Sequence, residues 1–409
     1  MRRGITAGAM TLGLALALTA CGGAGDETAA TPSDSPSDEA GESLVIWVDE
    51  TRQAAVEQAA TAYEDANGID VEIVLKNFED IRTDFLAQVP TGEGPDITVG
   101  AHDWLGELMT NGVVSPIELG DKAPLFEAVA VEAFTQSGQV YGLPYAIENI
   151  ALIRNTALAS EAPATWDEAV AAGRAAGTTY PILIQTGVEG DPYTYYPLQT
   201  SFGAPVFVQN EDGSYTAELA LGGEAGHAFA GWLQAQGASG VLSPDMTYDI
   251  AVEAFKNGES PFIIGGPWML EQFAELELAI DPLPSAGGQP AQPFVGVQGF
   301  YISSQTDNAL LANDFLVNYI ATDDVQIALY EAGSRPPALL SAAEIASSNP
   351  VTAGFAEVGA DAVPMPSIPE MGSVWAFWGV TEANIISGAV DPVAGWDKMV
   401  ADIQGAMGS

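Results

Sequence analysis

The 409-residue chain is rich in one kind of reactive group and poor in the others. It has 55 Asp and Glu residues, two histidines (His102 and His227) and one cysteine, Cys21. Paired-carboxylate catalysis needs two acids held in opposed environments, and so many acids single out no pair. Ser-His-Asp chemistry needs a placed histidine, and neither His stands near a Gly-x-Ser-x-Gly turn. The Gly92-Glu93-Gly94 segment precedes an apolar run instead of following one, so it is no phosphate loop. A single cysteine excludes an intrachain disulfide and a cysteine zinc cage. Met365 and Met371 bracket a Pro-Ser-Ile-Pro-Glu segment without forming a stripe, so no metal site and no cofactor is expected. His102 reads as structural and His227 as a helix-surface residue.

Aromatic residues carry the stronger signal. Trp104 follows an apolar run, Tyr193, Tyr195 and Tyr196 crowd Asp191-Pro-Tyr-Thr-Tyr-Tyr-Pro197, Trp268 ends another run, and Trp375, Phe377 and Trp378 share one short segment. All are expected at strand ends or in loops, where open α/β sheets bind ligands. A flat ring buries the C–H face of a pyranose while neighbouring carboxylates accept its hydroxyls. Rings interleaved with acids therefore suit a neutral, polyhydroxylated ligand; core packing is the competing reading for each ring.

Elements that position these residues alternate between strand and helix. Leu44–Val48 reads as a buried strand. Ala54–Ala66 reads as a helix with Ala55, Val56, Ala59, Ala62 and Tyr63 on one face, stopped by Asn67-Gly68. Ile69–Leu75 is a second strand, Phe85–Val89 a helical segment, and Asp96–Val99 a third strand after a glycine turn. This β-α-β-α-β order predicts a parallel, doubly wound sheet. Thr165 with Glu168 is a capping box opening a helix to Ala176. Tyr180–Gln185 and Phe262–Ile264 are further strands. The fold class is α/β.

Arg2 and Arg3 followed by an apolar Ile5–Leu18 form a secretory leader, and Leu18-Thr-Ala-Cys21-Gly resembles a lipobox. The alternative is an ordinary secretory signal with an incidental cysteine. Cleavage at residue 20 would leave Cys21 to carry a diacylglyceryl anchor. Residues 22–43 lack aromatic and large aliphatic side chains and read as a disordered acidic tether. Of eleven Lys and Arg, the leader holds two, so nine face 55 acids in the mature chain. That charge repels phosphate, so nucleic acid and anionic lipid surfaces are excluded as partners, and the membrane is met only through the anchor.

Leu44-Val-Ile-Trp47, Asn67-Gly-Ile-Asp-Val71, Gly92-Glu-Gly-Pro-Asp-Ile97, Ala101-His-Asp103, Tyr141-Gly-Leu-Pro-Tyr145, Asp191-Pro-Tyr193, Gly266-Pro-Trp268, Pro293-Phe-Val-Gly-Val297 and Met365-Pro-Ser-Ile-Pro-Glu-Met371 recur in order. Together, over essentially all of 44–409, they resemble the maltose/maltodextrin-binding members of the family 1 extracellular solute-binding proteins of ABC importers. The resemblance implies a periplasmic-binding-protein-like fold of two doubly wound α/β lobes closing on a sugar. Lobe 1 would comprise 44–146 plus 300–346, lobe 2 would comprise 151–294 plus 351–409, and the hinge would fall near 147–150, 295–299 and 347–350.

Carried over residue by residue, the resemblance implies a sugar site of Asp103, Glu148, Asp191, Tyr193 and Tyr248, with Trp268 and Trp375 as stacking rings and Asp49, Glu50 and Arg52 at the reducing end. Asp103 could instead be a helix N-cap. Gly100 and Gly379 stand where the family has larger cleft residues, and Trp104 stands at a family arginine. Trp104 and Trp378 are therefore expected to rebuild the aromatic wall. The implied function is an anchored, monomeric, non-enzymatic binding protein on the outer face of a Gram-positive cell membrane. It would deliver an α-glucoside to two permease subunits. Two readings remain beside it: a lipoprotein for a peptide or polyamine, which would suit the acidity, and a secreted glycosidase using Asp103 and Glu148.

Overall fold

The structure, a computed structural model, describes residues 43–210 and 214–408. The leader, Cys21 and the tether up to residue 42 lie outside the described residues. Its main elements are β1 (Ser43–Val48), α1 (Glu50–Asn67), β2 (Asp70–Leu75), α2 (Phe78–Gln88), β3 (Ile97–Ala101), β4 (Gly142–Asn149) and β5 (Ala151–Asn155). There follow α3 (Trp166–Ala176), α4 (Pro192–Thr200), α5 (Gly223–Ala238), α6 (Tyr248–Lys256), β6 (Phe262–Gly265), β7 (Leu278–Asp281) and β8 (Phe294–Ser303). The chain ends through α7 (Asp323–Gly333), α8 (Met371–Ile386) and α9 (Pro392–Met407).

Local chemistry accounts for the boundaries. The Asp49 carboxylate accepts the Thr51 N–H at 2.9 Å and caps α1, while Gly68 ends it in the left-handed region that a Cβ disfavours. The buried face of α1 is Arg52, Ala55, Val56, Ala59, Ala60 and Tyr63; Ala62 is exposed, one position round from its expected place. Thr165 and Glu168 form the expected capping box of α3. The helix expected from Phe85 begins earlier, at Phe78, where Glu79 and Asp80 place negative charge on its first turn.

β2, β1 and β3 pair in parallel, as the β-α-β-α-β order predicts. The sheet is mixed, however, because β8 lies antiparallel to β3 on one side and to β4 on the other. A second sheet, β6-β5-β7, is antiparallel throughout. Tyr180–Gln185 forms no full strand: a single parallel bridge joins Leu183 to Ile263.

The apolar side chains gather around both sheets. One core runs from Leu44 to Ala146 and from Val297 to Ala342. Two others cover opposite faces of the second sheet, as alternation along a strand requires: Ile150 and Leu152 face one, Ala151 and Ile153 the other. The backbone passes from one sheet to the other between β4 and β5. It passes again along β8, whose Phe294 packs in the second core and whose Val297 packs in the first. Among the described residues no helix is long and apolar enough to cross a membrane.

Candidate functional site

Where β4 and β8 run side by side between the cores, a chain of buried polar groups forms. Glu148, near the end of β4, accepts from Gln298 Nε2 at 2.8 Å and from Arg335 Nε at 2.7 Å. Gln298 Oε1 accepts from Arg52 Nη2 at 3.2 Å, and Arg52 pairs with Asp49 and donates to the Tyr145 hydroxyl. Arg335 Nη1 reaches Thr51 Oγ1 at 3.3 Å. Two carboxylates and two guanidiniums thus balance one another, which is what makes burial of such charges tolerable. Burial pushes the Asp49 carboxyl up, but the Arg52 charge and the Thr51 hydrogen bonds outweigh it and hold it below its ordinary value.

Among the described residues the buried side-chain polar atoms without a hydrogen-bond partner are Asp103 Oδ1, Gln185 Oε1, the Tyr193 hydroxyl, Gln326 Oε1 and both oxygens of Glu382; of these the Tyr193 hydroxyl feels the charges of both Glu148 and Asp103. Asp103 sits on a short turn after β3, not at a cap, and its Oδ2 accepts the indole N–H of Trp375 from α8 at 3.1 Å. Burial raises its carboxyl to about 6, against the opposing pull of Arg82 and the Trp375 bond. Burial, with the charges of Glu148, Asp191 and Asp103, pushes the Tyr193 hydroxyl well above its ordinary range. An orphaned buried polar atom costs about 1–3 kcal/mol, so the pair Asp103 and Tyr193, with Gln185 reached through Asp191, marks a place completed by hydrogen bonds from something else.

Trp268 lies between these features. Tyr193 approaches its ring at 6.3 Å between centroids, and Arg335 Cζ stands 5.5 Å from its centroid. Beside it opens a cleft of about 1040 Å3, lined by Glu50, Thr51 and Ala332 from the first core's elements and by Tyr180, Tyr248 and Trp268 from the others. Of the twelve residues expected at a sugar site, Glu50, Tyr248 and Trp268 therefore border open space. Asp49, Arg52, Asp103 and Glu148 are buried, and Asp191 and Tyr193 half-buried, outside that lining.

Several expectations need correction. Trp378 is fully buried, donates to Gln199 Oε1 at 3.1 Å and packs in the second core behind Trp375, so it does not stand in the cleft wall. The space beside Gly379 is filled instead by backbone: an added Cβ there would meet the Glu189 carbonyl oxygen at 2.5 Å. Trp375 and Trp378 lie on a helix, α8, not in a loop, and Tyr195 and Tyr196 are core residues of α4. Asp191 is the N-cap of α4, with its oxygens taken by Thr194 and Gln185. Arg52 and Asp49 spend their polar atoms on each other and on the network, so neither presents a free group to the cleft. Trp104, 8% exposed, packs against Phe78 at 5.2 Å.

His102 is structural, as expected: its Nδ1 accepts from the Val297 N–H at 3.0 Å, its Nε2 faces the Met365 carbonyl at 3.1 Å, and burial lowers its pKa to about 4. His227 pairs with Asp397 on α9. No group of three or more His, Cys, Asp or Glu placed to hold a metal occurs among the described residues. Sequence reasoning missed Arg335, Gln298 and Gln185. The one available signal for Arg335 was scarcity, since so few cations in so acidic a chain invites asking what each one neutralises.

Two sheets with their own cores, joined by crossing strands, with a cleft and unpaired polar groups beside the crossing, define a periplasmic-binding-protein-like α/β fold built to hold a small polar molecule. The chain belongs to the bacterial extracellular solute-binding proteins, whose family profile matches residues 58–356. It is 28% identical to the maltodextrin-binding protein MdxE of Bacillus subtilis (strain 168), over 88% of this chain and 87% of that one. It is 26% identical to the galactooligosaccharide-binding protein of the same organism, over 96% of this chain and 94% of that one. Among solved structures, the Thermus thermophilus maltotriose binding protein bound with maltotriose matches with a TM-score of 0.80 and 31% identity, covering 89% of this chain and all of that one.

Proposed function

We propose that this chain is the substrate-binding lipoprotein of an ABC sugar importer and captures a malto-oligosaccharide or related α-glucoside. The observation that carries this is a set of buried, unpaired polar atoms: Asp103 Oδ1 beside Trp375, the Tyr193 hydroxyl on a ring that approaches Trp268, and Gln185 Oε1 next to Asp191. Sugar hydroxyls both donate and accept, so one oligosaccharide answers an acid, an amide oxygen and a phenol at once, while a ring face covers the indole. The relatives named for maltodextrin and maltotriose support the same ligand class. The work is capture and release, with no bond made or broken in the sugar.

In this reading 44–146 plus 300–346 and 151–294 plus 351–409 are two lobes that close about segments near 147–150, 295–299 and 347–350, a hinge transition. The separate cores support that division. Within the closed lobes Asp103, Glu148, Tyr193, Tyr248, Trp268 and Trp375 would meet the ligand. Cys21 would carry the lipid that holds a monomer at the outer face of the cell membrane, near its permease. Titration calorimetry with maltose, maltotriose, maltotetraose, trehalose and a galactooligosaccharide tests the reading. Maltotriose is expected to bind, and Trp268→Ala to weaken it by about 2 kcal/mol or more, roughly thirtyfold. Binding of the galactooligosaccharide alone would move the ligand class; an unchanged affinity in Trp268→Ala would remove the stacking ring from the site.

A further inference from the structure

Arg335 enters the site from a direction the other candidates do not. It leaves α7 through Gly333-Ser334-Arg335-Pro336-Pro337, where Ser334 adopts φ +53°. The next residues are pinned to β4: the Ile147 N–H donates to the Pro336 carbonyl at 2.9 Å, and the Ala338 N–H donates to the Tyr145 carbonyl at 2.8 Å. The Arg335 backbone is therefore fixed against the strand that carries Glu148. Arg335 is 8% exposed and its guanidinium is engaged on three sides, with Nε on Glu148, Nη1 on Thr51 and its carbon 5.5 Å from the centroid of the Trp268 ring. Glu148, Thr51 and the Arg335 backbone go with the first core's elements, whereas Trp268 packs with the second and third cores. Trp268 in turn walls the open cleft.

We propose that Arg335 is a positioning residue for the sugar-stacking ring, holding the Trp268 indole beside Glu148 at the closed edge of the cleft. This rests on the sugar-binding reading given above. A planar guanidinium bonds a carboxylate through its edge and covers an indole with its face simultaneously; an ammonium is a point charge that cannot do both. Arg335 thereby fixes which face of Trp268 is left for a ligand. It makes that arrangement conditional on the two sides being together. A plain counter-ion for Glu148 would be served as well by lysine and would leave the ring free to choose its orientation.

The test is a double-substitution cycle on the full mature chain with maltotriose as the probe, read by calorimetry, together with intrinsic fluorescence of the ligand-free protein. Arg335→Lys keeps the charge near Glu148, and a thermal melt checks that it folds; Arg335→Gln serves if it does not. Arg335→Lys is expected to weaken maltotriose binding about tenfold in the parent and less than twofold in Trp268→Ala. It should also shift tryptophan emission in the ligand-free parent, with no shift in Trp268→Phe. Full affinity in Arg335→Lys, or losses that multiply independently with Trp268→Ala, would overturn the proposal. If the parent binds neither maltotriose nor any other sugar of the calorimetric panel but the Trp268-dependent emission shift is present, the sugar reading fails while the Arg335–Trp268 arrangement stands. If that shift is absent as well, both fail.

Discussion

The ring of Trp104 lies where a side chain at position 100 would begin. A Cβ built on Gly100 would come within 2.6 Å of Trp104 Cε3 and 2.9 Å of Tyr301 Cε2. Gly100 is on β3 and Trp104 one turn beyond it, so the missing side chain of one makes room for the indole of the other. Gly100→Ala should therefore destabilise the fold by about 1–3 kcal/mol through overpacking, measured by urea unfolding. Adding Trp104→Leu should relieve part of that loss. Equal costs of Gly100→Ala with and without the tryptophan would show that the two positions are not coupled.

Trp375 and Trp378 share one helix and stack at 5.6 Å, yet they serve different ends. Trp378→Ala empties a fully buried site and leaves Gln199 Oε1 without its donor, so a stability loss of about 3–5 kcal/mol is expected. Trp375→Ala removes the partner of Asp103 Oδ2 at a half-buried position, and should cost less stability and more maltotriose affinity. Denaturant midpoints and calorimetry on both variants separate the roles. A Trp378 variant that keeps its stability but loses the ligand would return that ring to the site.

The sequence made β1, α1, β2 and β3 legible because their patterns are local: an apolar run, a 3.6-residue face and a glycine stop. The mixed character of the first sheet was not legible, since β8 pairs with β3 almost 200 residues away and strand direction leaves no mark on either segment. Trp375 and Trp378 were equally aromatic in the sequence. Only the packing of α8 on α4 distinguishes them, with Tyr196 meeting the Trp378 ring edge-on at 5.9 Å. Arg335 escaped because its partners, Glu148, Thr51 and Trp268, come from three distant segments.

Asp191 offers a test between a cap and a ligand contact. As the α4 cap it accepts from the Thr194 N–H at 3.2 Å and from the Thr194 hydroxyl at 2.7 Å. Asp191→Ala should cost about 1 kcal/mol of stability, as caps do, and loosen Tyr193 two residues on. Asp191→Asn keeps the capping oxygen. Gln185, by turning its amide, can accept from the new NH2 and present its own NH2 where the unpaired Oε1 stood, a donor that a sugar hydroxyl also answers. Near-parent stability and affinity are expected for the Asn variant. A large affinity loss with stability intact would make the carboxylate itself a sugar acceptor.

His102 and Asp103 are neighbours with opposite linkage. The His102 pKa falls from an ordinary 6.5 to about 4, so between those values the unfolded chain binds the proton that the folded chain refuses, and stability drops as pH falls. The Asp103 pKa rises from 3.8 to about 6, so between those values the folded chain holds the extra proton, and stability rises as pH falls. From about pH 6 to pH 4 the two slopes, each approaching roughly 1.4 kcal/mol per pH unit, oppose one another. Asp103→Asn removes only the compensating member. Relative to the parent it should gain stability at pH 7, where a buried charge has been neutralised, and lose that gain progressively as pH falls from 6 to 4. Urea unfolding of parent and variant at half-unit pH steps reads this difference directly, with the other acids of the chain common to both. A difference that is flat across pH 4–6 would mean that Asp103 is ionised in the folded protein throughout that range.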